Sequence, residues 1–409
     1  MVLETSEKIE NRDKDETAPL EEITSMGTRS GLEAERIDDS GEISAPFDPK
    51  LIDVITQQRT VDLLMTRLAH GELDLSPDFQ RRANIWNEER KSALIESMLL
   101  RIPIPSLYVS EDENGNYQVV DGLQRLCAIA HFVHVSSLNK SLNIKFVPLR
   151  LNNLQSLKAK ELDDKAFDEL PRSLQRRIME TELTLHVIRA GTPLNVKFNI
   201  FSRINQGGLP LKGQEIRNAI YQGKWTGHIR NMAKSKAFLS ATENRIKGER
   251  LEDHELILRF VAHYTLPQDT KRQADENLDT FLNDFVEKRA VNFKEDTWEN
   301  IAQAFDYAMS AAPKVFGRMA FRKYSAPGES RRPINRGLFE SEAVALAKRT
   351  KEEIEILAKR SEQVTKKFGE MFYGDKHFQN ALLYATGRGS ASHKRLDVIT
   401  EIFNEVLDA

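Results

Sequence analysis

Val120-Asp121-Gly122-Leu123-Gln124-Arg125 joins an extended apolar run to an apolar run with helical spacing. The run over 117–120 is typical of a strand, and the apolar residues over 126–133 recur at helical intervals. Glycine at such a corner lets the backbone approach a ligand, and the first helical turn offers unpaired N–H groups. The arginine adds a planar charged fork suited to phosphate. The hexapeptide therefore indicates a phosphate-binding corner.

The same hexapeptide also fits a purely structural role. Asp121 and Gln124 have the spacing of a helix N-cap residue and its partner three residues later. Helix caps are far commoner in proteins than nucleotide sites, so the hexapeptide alone favours capping. The choice between the two interpretations depends on the rest of the chain.

Length, charge and cysteine usage limit the class of protein. The 409 residues are enough for two or three domains. Residues 1–45 carry 13 acidic and 5 basic side chains, whereas 46–409 carry 49 acidic and 54 basic ones, a balance that permits an anionic partner such as DNA. No apolar run is long enough for a membrane span, and no signal peptide is evident. The single cysteine, Cys127, excludes an internal disulfide framework, and we expect a buried thiol in a cytoplasmic protein without a membrane partner.

Three regions follow from the composition and the periodicity. Residues 1–45 are acidic and aperiodic and predict a disordered arm. Residues 46–225 predict a small α/β domain, with helices over 60–70, 193–204 and 214–221 and strands over 107–110, 117–120 and 183–188. Residues 226–409 predict an α-helical domain that ends in a long helix pair over 341–372 and 378–407. The predicted fold class is therefore α+β.

Three arginine-bearing segments lie at predicted element boundaries: 79–82 (Phe-Gln-Arg-Arg), the 120–125 corner, and 201–208 (Phe-Ser-Arg-Ile-Asn-Gln-Gly-Gly) with 215–218 (Glu-Ile-Arg-Asn). The first has the alternative of a solvated turn, and the glycine pair of the third has that of a helix C-cap. Glu215 and Arg217 do not face each other on a helix, so they are not a simple surface ion pair. Asn205 and Glu215 together offer the oxygen ligands that Mg²⁺ prefers.

A basic segment over 314–336 holds seven Lys or Arg side chains against one acid, with aromatic residues interleaved. Such a composition predicts salt-sensitive, sequence-independent contact with nucleic-acid phosphates. The alternative is a solvated basic loop with core aromatics. The candidate nucleic-acid-binding residues are Arg318, Arg322, Lys323, Arg331, Arg332 and Arg336.

Four blocks of sequence resemble, in order, the GmrSD-type N-terminal domain family of bacterial defence systems. They read PDFQRRANIW…IESMLLRIPIPSLYV, VVDGLQRLCAIA, FSRINQGGLPLKGQEIRNAIY and LEDHELILRF, and they span about 50–285. That family is marked by a DGQQR motif, and its fold is similar to the ParB/sulfiredoxin nucleotide-binding fold. The resemblance implies a ParB-like α/β domain over 46–225 that binds nucleoside triphosphate (NTP), followed by the α-helical domain over 226–409.

Site roles are carried over from the family motifs onto the matching positions. The resemblance implies the following roles: catalytic, Asp121, Gln124 and Arg125; nucleotide-binding, Gln80, Arg81, Gly122, Arg203, Asn205, Gly207, Gly208 and Arg217. The metal-binding candidates, Asn205 and Glu215, follow from their oxygen chemistry. The chain departs from the motif at Leu123, where the family has glutamine. If that glutamine orients water, hydrolysis is weakened here while binding survives.

These observations lead to one expectation and two alternatives. We expect an NTP-binding protein, a Mg²⁺-dependent NTPase of a restriction-type anti-phage system, that couples nucleotide to DNA or to a partner. The first alternative is a non-hydrolysing DNA-binding or adaptor subunit, and the second is a ParB-like DNA endonuclease. Relatives often carry or accompany a His-based nuclease domain, and no such block occurs in this sequence. The expected partners are therefore DNA, a separate nuclease and a second copy of the chain.

Overall fold

The computed structural model describes residues 21–23, 27–34, 49–75, 86–143, 145–155, 159–204, 212–221, 223–267, 272–325, 329–383 and 387–409. Contacts divide the chain into two compact units. We call Pro46–Ile220 the sheet unit, and Tyr221–Ala409 together with the N-terminal 45 residues the helical unit. The division falls at 220/221, where the sequence predicted 225/226.

Two N-terminal segments form an antiparallel strand pair, β1 (Glu21–Ile23) and β2 (Arg29–Glu33). Strand β2 is buried, and Ile334 exchanges backbone hydrogen bonds with Gly31 and Glu33 at 3.0 and 2.8 Å. The prediction of a disordered arm over 1–45 is therefore wrong for these two segments, whereas 1–20, 24–26 and 35–45 lie outside the described residues. Their pairing partner stands some three hundred residues away, and composition carries no signal of so distant a contact.

The sheet unit alternates strands and helices. In chain order its elements are β3 (Val54–Thr60), α1 (Val61–His70), β4 (Leu73–Asp74), α2 (Glu88–Leu99), β5 (Leu107–Glu111), β6 (Tyr117–Asp121), α3 (Leu123–Val133), α4 (Val135–Leu142), α5 (Ala159–Leu162), α6 (Arg172–Met179), β7 (Glu182–Ile188), α7 (Leu194–Ile204) and α8 (Gly213–Ile220). The sheet order is β3-β7-β5-β6-β4, with β5 parallel to β7 and β4 parallel to β6. Strand β3 was not predicted, because its side chains are mostly polar, as an edge strand with half-exposed side chains allows.

Helices cover the two faces of the sheet unequally. The main core contains side chains of β5 and β7 packed with those of α1, α2, α3, α4 and α6. The opposite face holds a smaller apolar cluster, formed by Val120 and Ile188 of the sheet with Phe198, Phe201 and Ile216 of α7 and α8. Cys127 is buried in the main core as predicted, and burial raises the pKa of its thiol to about 12. At neutral pH this thiol is therefore a packing group.

The helical unit is a set of packed helices. They are α9 (Trp225–Ala233), α10 (Lys236–Ala241), α11 (Glu252–Tyr264), α12 (Leu278–Lys288), α13 (Glu295–Phe316), α14 (Arg336–Ala347), α15 (Lys351–Lys359), α16 (Ser361–Gly374), α17 (Lys376–Leu383) and α18 (Gly389–Asp408). The prediction of one long helix over 341–372 is wrong. Thr350 and Glu353 form a capping box that begins α15. One helix therefore ends and another begins here, although the apolar residues keep their helical spacing across the boundary. Within the described part of the chain, no helix is long and apolar enough to cross a membrane.

Candidate functional site

The 120–125 corner lies where β6 ends and α3 begins. Gly122 is the N-cap residue of α3, with a left-handed φ of 95°, and no side chain among the described residues caps the helix. The alternative in which Asp121 caps the helix with Gln124 as partner is therefore wrong, because the carboxylate of Asp121 binds Arg125 instead. The first-turn N–H groups of α3 thus lack a side-chain acceptor, which is the arrangement that favours an anion.

Glycine is required at position 122 for two physical reasons. A left-handed φ costs an L-residue about 1–2 kcal/mol. A Cβ at this position would also overlap Cδ2 of Leu107 and lie 3.3 Å from Nη2 of Arg125. The close approach that the sequence assigned to a ligand is therefore made by Leu107.

Gly122→Ala is expected to lower the free energy of unfolding by about 2–5 kcal/mol, the sum of backbone strain and overpacking. Gly115→Ala is the matched control, because Gly115 has a φ of 79° but nothing within 4 Å of its Cβ position. It should cost only the strain, about 1–2 kcal/mol. Urea unfolding of both variants measures the difference, and equal losses would show that the Leu107 contact is unimportant.

Arg125 points inward and ties the corner to the chain before β5. Its Nη2 donates to Oδ2 of Asp121 at 2.8 Å, and its Nη1 donates to the carbonyl of Ser106 at 3.1 Å and to that of Pro105. Only 14 % of the side chain is exposed. Burial lowers the pKa of Arg125, and the negative charge of Asp121 opposes that shift. Arg125 is therefore a positioning residue in this geometry, with its fork already occupied.

Gln124 contributes an unsatisfied acceptor beside the start of α3. Its Oε1 is buried and has no hydrogen-bond partner among the described residues. An unsatisfied buried polar group costs about 1–3 kcal/mol, unless a ligand or water supplies the missing bond. Asp121 directly precedes Gly122 in the same corner, and 38 % of its side chain is exposed. The corner thus holds one buried amide oxygen and one partly exposed carboxylate.

A polar row runs across the sheet from the corner. On neighbouring strands Asp121 is paired with Tyr108, Tyr108 with His186, and His186 with Thr56. We call these four residues the cross-strand row. A register shift leaves Val120 as an extra residue, a bulge of the kind that re-aims side chains beside functional sites. The rings of Tyr108 and His186 lie 4.6 Å apart at 32°, and Nδ1 of His186 is 3.0 Å from Oγ1 of Thr56.

Tyr108 and His186 were not among the site residues predicted from the sequence. Each stands at a partly exposed position between buried apolar neighbours, in Leu107-Tyr108-Val109 and in Leu185-His186-Val187. That period-two alternation was a usable signal for one shared sheet face. The strand order, which makes the two residues neighbours, was absent from the sequence.

The third arginine segment reaches the same sheet face. Phe201 of α7 and Ile216 of α8 pack with Val120 beside the corner. Arg203 is exposed at the end of α7, whereas Arg217 is fully buried, donates to Oε1 of Gln214 at 2.6 Å and lies over the ring of Phe198. The structure therefore brings two predicted segments together, but it buries one predicted nucleotide ligand.

The other predicted site residues of these segments are either outside the described residues or buried. Gln80, Arg81, Asn205, Gly207 and Gly208 lie outside the described residues. Glu215 is 1 % exposed, and its Oε2 accepts the backbone N–H of Lys212 at 2.8 Å, as the third residue of a helix does in a capping box. This contact gives Glu215 a structural role at the start of α8. The described ranges contain no group of three or more His, Cys, Asp or Glu side chains that fits a metal ion.

The basic segment over 314–336 is largely inside the helical unit. Arg322, Lys323 and Arg336 are 1, 2 and 6 % exposed. Lys323 Nζ lies 2.5 Å from Oε1 of Glu33, and Arg336 Nη2 lies 2.6 Å from Oε2 of Glu22. Burial, reinforced by nearby arginines, lowers the pKa of Arg322 to about 10. A solvent-facing role for these three residues is therefore wrong, because acids of the N-terminal strand pair neutralise two of them.

The other three candidates of the segment differ in their surroundings. Arg331 pairs with Glu243 and donates to the carbonyl of Arg318 at 2.9 Å. Arg332 lies over the ring of Phe372, 5.9 Å from its centroid. Arg318 is exposed. A nucleic-acid contact through Arg318, Arg331 and Arg332 stays a prediction, with Arg331 partly committed to its acid.

A cavity of about 520 Å³ lies in the sheet unit, between the end of α2 and helix α6. Arg101, Arg176 and Arg177 line it together with Glu180 and Glu182. Ile104, another lining residue, immediately precedes the Pro105 whose carbonyl accepts from Arg125. The cavity is therefore beside the segment that Arg125 holds, but its charges are nearly balanced.

The comparisons with known proteins give one match. Residues 64–222 match the family model described as GmrSD restriction endonuclease, N-terminal domain. This range includes the corner, the cross-strand row positions of β5, β6 and β7, and both helices α7 and α8. No curated protein and no solved structure matches the chain.

Proposed function

Residues 64–222 form a GmrSD N-terminal domain, and on that premise we propose that this protein is an NTPase of a restriction-type defence system. The matched family is described as a restriction endonuclease domain, which associates the domain with defence against foreign DNA. The observation that carries the nucleotide proposal is the 120–125 corner. There an uncapped helix start, a buried acceptor of Gln124 and a partly exposed carboxylate of Asp121 lie within four residues.

Each residue of the corner has a distinct task in this proposal. The first-turn N–H groups of α3 bind a phosphate, and Arg125 holds those groups in place through Asp121 and the carbonyl of Ser106. The amide oxygen of Gln124 accepts a hydrogen bond from the attacking water, and the carboxylate of Asp121 is left for the Mg²⁺ that arrives with the nucleotide. Phosphoryl transfer needs chiefly such positioning and charge neutralisation. Arg203, exposed at the end of α7, supplies the neutralising charge that the occupied Arg125 does not.

Leu123 limits the expected rate of hydrolysis. Its side chain packs against the main core, so the corner has one amide where the family motif has two. Phosphate binding through the backbone does not depend on that side chain. We therefore expect the protein to bind nucleotide and to hydrolyse it slowly.

Mg²⁺ enters this proposal with the nucleotide. The ion is usually held by one or two carboxylates together with substrate phosphates, so it needs no preformed protein cage. Asp121 fits that task, because its carboxylate is partly exposed and directly precedes the helix start. Glu215 does not fit it, because its carboxylate is buried and caps α8.

Phosphate release tests the proposal. We expect slow, Mg²⁺-dependent release by the purified protein with at least one NTP. Leu123→Gln should increase the rate by restoring the second amide. Gln124→Ala should reduce the rate about a hundredfold without changing nucleotide affinity, because loss of a group that orients the attacking water misplaces the reacting atoms. Arg29→Ala, at a side chain 81 % exposed in the helical unit, is the control and should leave the rate unchanged.

The outcomes separate this proposal from its alternatives. Nucleotide or DNA binding without phosphate release, in the wild type and in Leu123→Gln, would favour a non-hydrolysing adaptor that works with a separate nuclease. Cleavage of DNA by the purified chain alone would favour a ParB-like endonuclease. DNA added to the assay also tests the coupling between nucleotide and DNA, and the mass of the protein in solution tests the homo-oligomer.

A further inference from the structure

The cross-strand row continues the corner over an open part of the sheet. Tyr108 packs against the apolar cluster of Val120 and Ile188, and its ring contacts that of His186. Both side chains are partly exposed, and Thr56 beyond them is exposed. Helices α7 and α8 therefore cover the face near Val120, whereas the aromatic pair and the edge strand remain accessible.

We propose that Tyr108 and His186 form the platform on which the base of a nucleotide stacks when its phosphates occupy the corner. This inference rests on the proposed function and names two residues that bind the substrate at a distance from the phosphates. The ligand chemistry is a heteroaromatic base on a mononucleotide.

The spacing of the strands matches the reach of such a ligand. Neighbouring strands lie about 4.8 Å apart, so Tyr108 is about 5 Å and His186 about 10 Å from Asp121 along the row. An extended nucleoside triphosphate separates its terminal phosphate from its base by a distance of that order. The phosphate end at α3 and the base end at the aromatic pair therefore belong to one molecule.

The side chains of the cross-strand row can stack on a base but offer few groups that distinguish one base from another. Aromatic side chains stack on any base, because every base has a π face. The contact between Nδ1 of His186 and Oγ1 of Thr56 orients the imidazole, and no described residue is hydrogen-bonded to its Nε2. We therefore expect modest preference among ATP, GTP, CTP and UTP.

Calorimetric binding of ATP and of inorganic tripolyphosphate to the full chain tests the platform. His186→Ala and Tyr108→Leu should each weaken ATP binding about tenfold, which corresponds to about 1.4 kcal/mol, and leave tripolyphosphate affinity unchanged. His186→Phe keeps a stacking ring and should retain wild-type affinity for ATP. Gln58→Ala is the matched control, because Gln58 lies exposed on β3 of the same face but outside the row.

Every other result counts against the platform. Unchanged ATP affinity in both variants overturns the inference and leaves the phosphate site standing. Equal weakening of ATP and tripolyphosphate, or no rescue by His186→Phe, means that the substitutions distort the corner rather than remove a base contact. If the variants weaken a single-stranded oligonucleotide but not ATP, the base belongs to a DNA strand and the mononucleotide inference fails. If the wild type binds neither ATP nor tripolyphosphate, the proposed function itself fails.

Discussion

Arg125→Ala is expected to lower the free energy of unfolding by about 3 kcal/mol and to abolish nucleotide binding. A hydrogen bond that involves a charged group contributes about 1.5–3 kcal/mol, and buried acceptors left without a donor add a penalty. The substitution removes a buried fork from Asp121 and from the carbonyls of Pro105 and Ser106. Without it the start of α3 loses its tie to the chain before β5. Urea unfolding and calorimetric binding of ATP measure the two effects.

Arg203→Ala is the matched control for this prediction. Arg203 is exposed in the same unit, so its loss should change the free energy of unfolding by no more than about 0.5 kcal/mol. It should weaken ATP binding, because the proposal uses it for charge neutralisation. The assignment of Arg125 as a positioning residue would be contradicted by a stable Arg125→Ala protein that has lost only nucleotide affinity, since that is the signature of a direct phosphate ligand.

Glu33→Ala is expected to destabilise the helical unit by about 3–5 kcal/mol, the usual cost of removing one partner of a buried ion pair. Glu33 is 8 % exposed, and its carboxylate binds Lys323 at 2.5 Å and Asn335 Nδ2 at 3.1 Å. Its backbone carbonyl also accepts from Arg336 at 2.9 Å, so the loop before α14 depends on β2. Without the carboxylate, the ammonium group of Lys323 is left in the interior. Thermal and urea unfolding measure the loss.

Two further variants test the physical cause. Arg29→Ala removes an exposed side chain 3.7 Å from Glu21 on the same strand pair, and it should cost at most about 1 kcal/mol. The double variant Glu33→Leu/Lys323→Met replaces both charges with apolar groups and should recover most of the stability. A Glu33→Ala protein as stable as the wild type would show that the N-terminal strand pair is not part of the folded helical unit.

The basic segment over 314–336 was predicted to face solvent because its Lys and Arg outnumber its acids, yet three of its cations are buried. Lys323 and Arg336 are close in sequence to other cations, and their acids come from Glu33 and Glu22 at the other end of the chain. Arg331 likewise finds Glu243, far from it in sequence. A charge run indicates a basic surface only when no distant acid neutralises it, and such acids become visible only in the folded chain.

Local signals predicted much of the sheet unit for physical reasons. The helix over 60–70, the strands over 107–110 and 117–120, and the α7–α8 pair were predicted because they depend on side-chain periodicity within a few residues. Strand β3 escaped because an edge strand tolerates polar side chains on both faces. The helix boundary before α15 was not predicted, because the capping box of Thr350 and Glu353 starts a new helix while the apolar residues keep their helical spacing.

The sequence by itself determined the family resemblance, the strand-to-helix corner at Gly122 and the α+β class, because these depend on residues close together in the chain. Tertiary structure alone decided how the side chains at and around the corner are oriented. It turned Arg125 inward onto Asp121, buried Arg217, and aligned Tyr108 with His186 through the order of the strands. Direction and neighbourhood of a side chain depend on contacts between distant segments, and local periodicity does not encode those contacts.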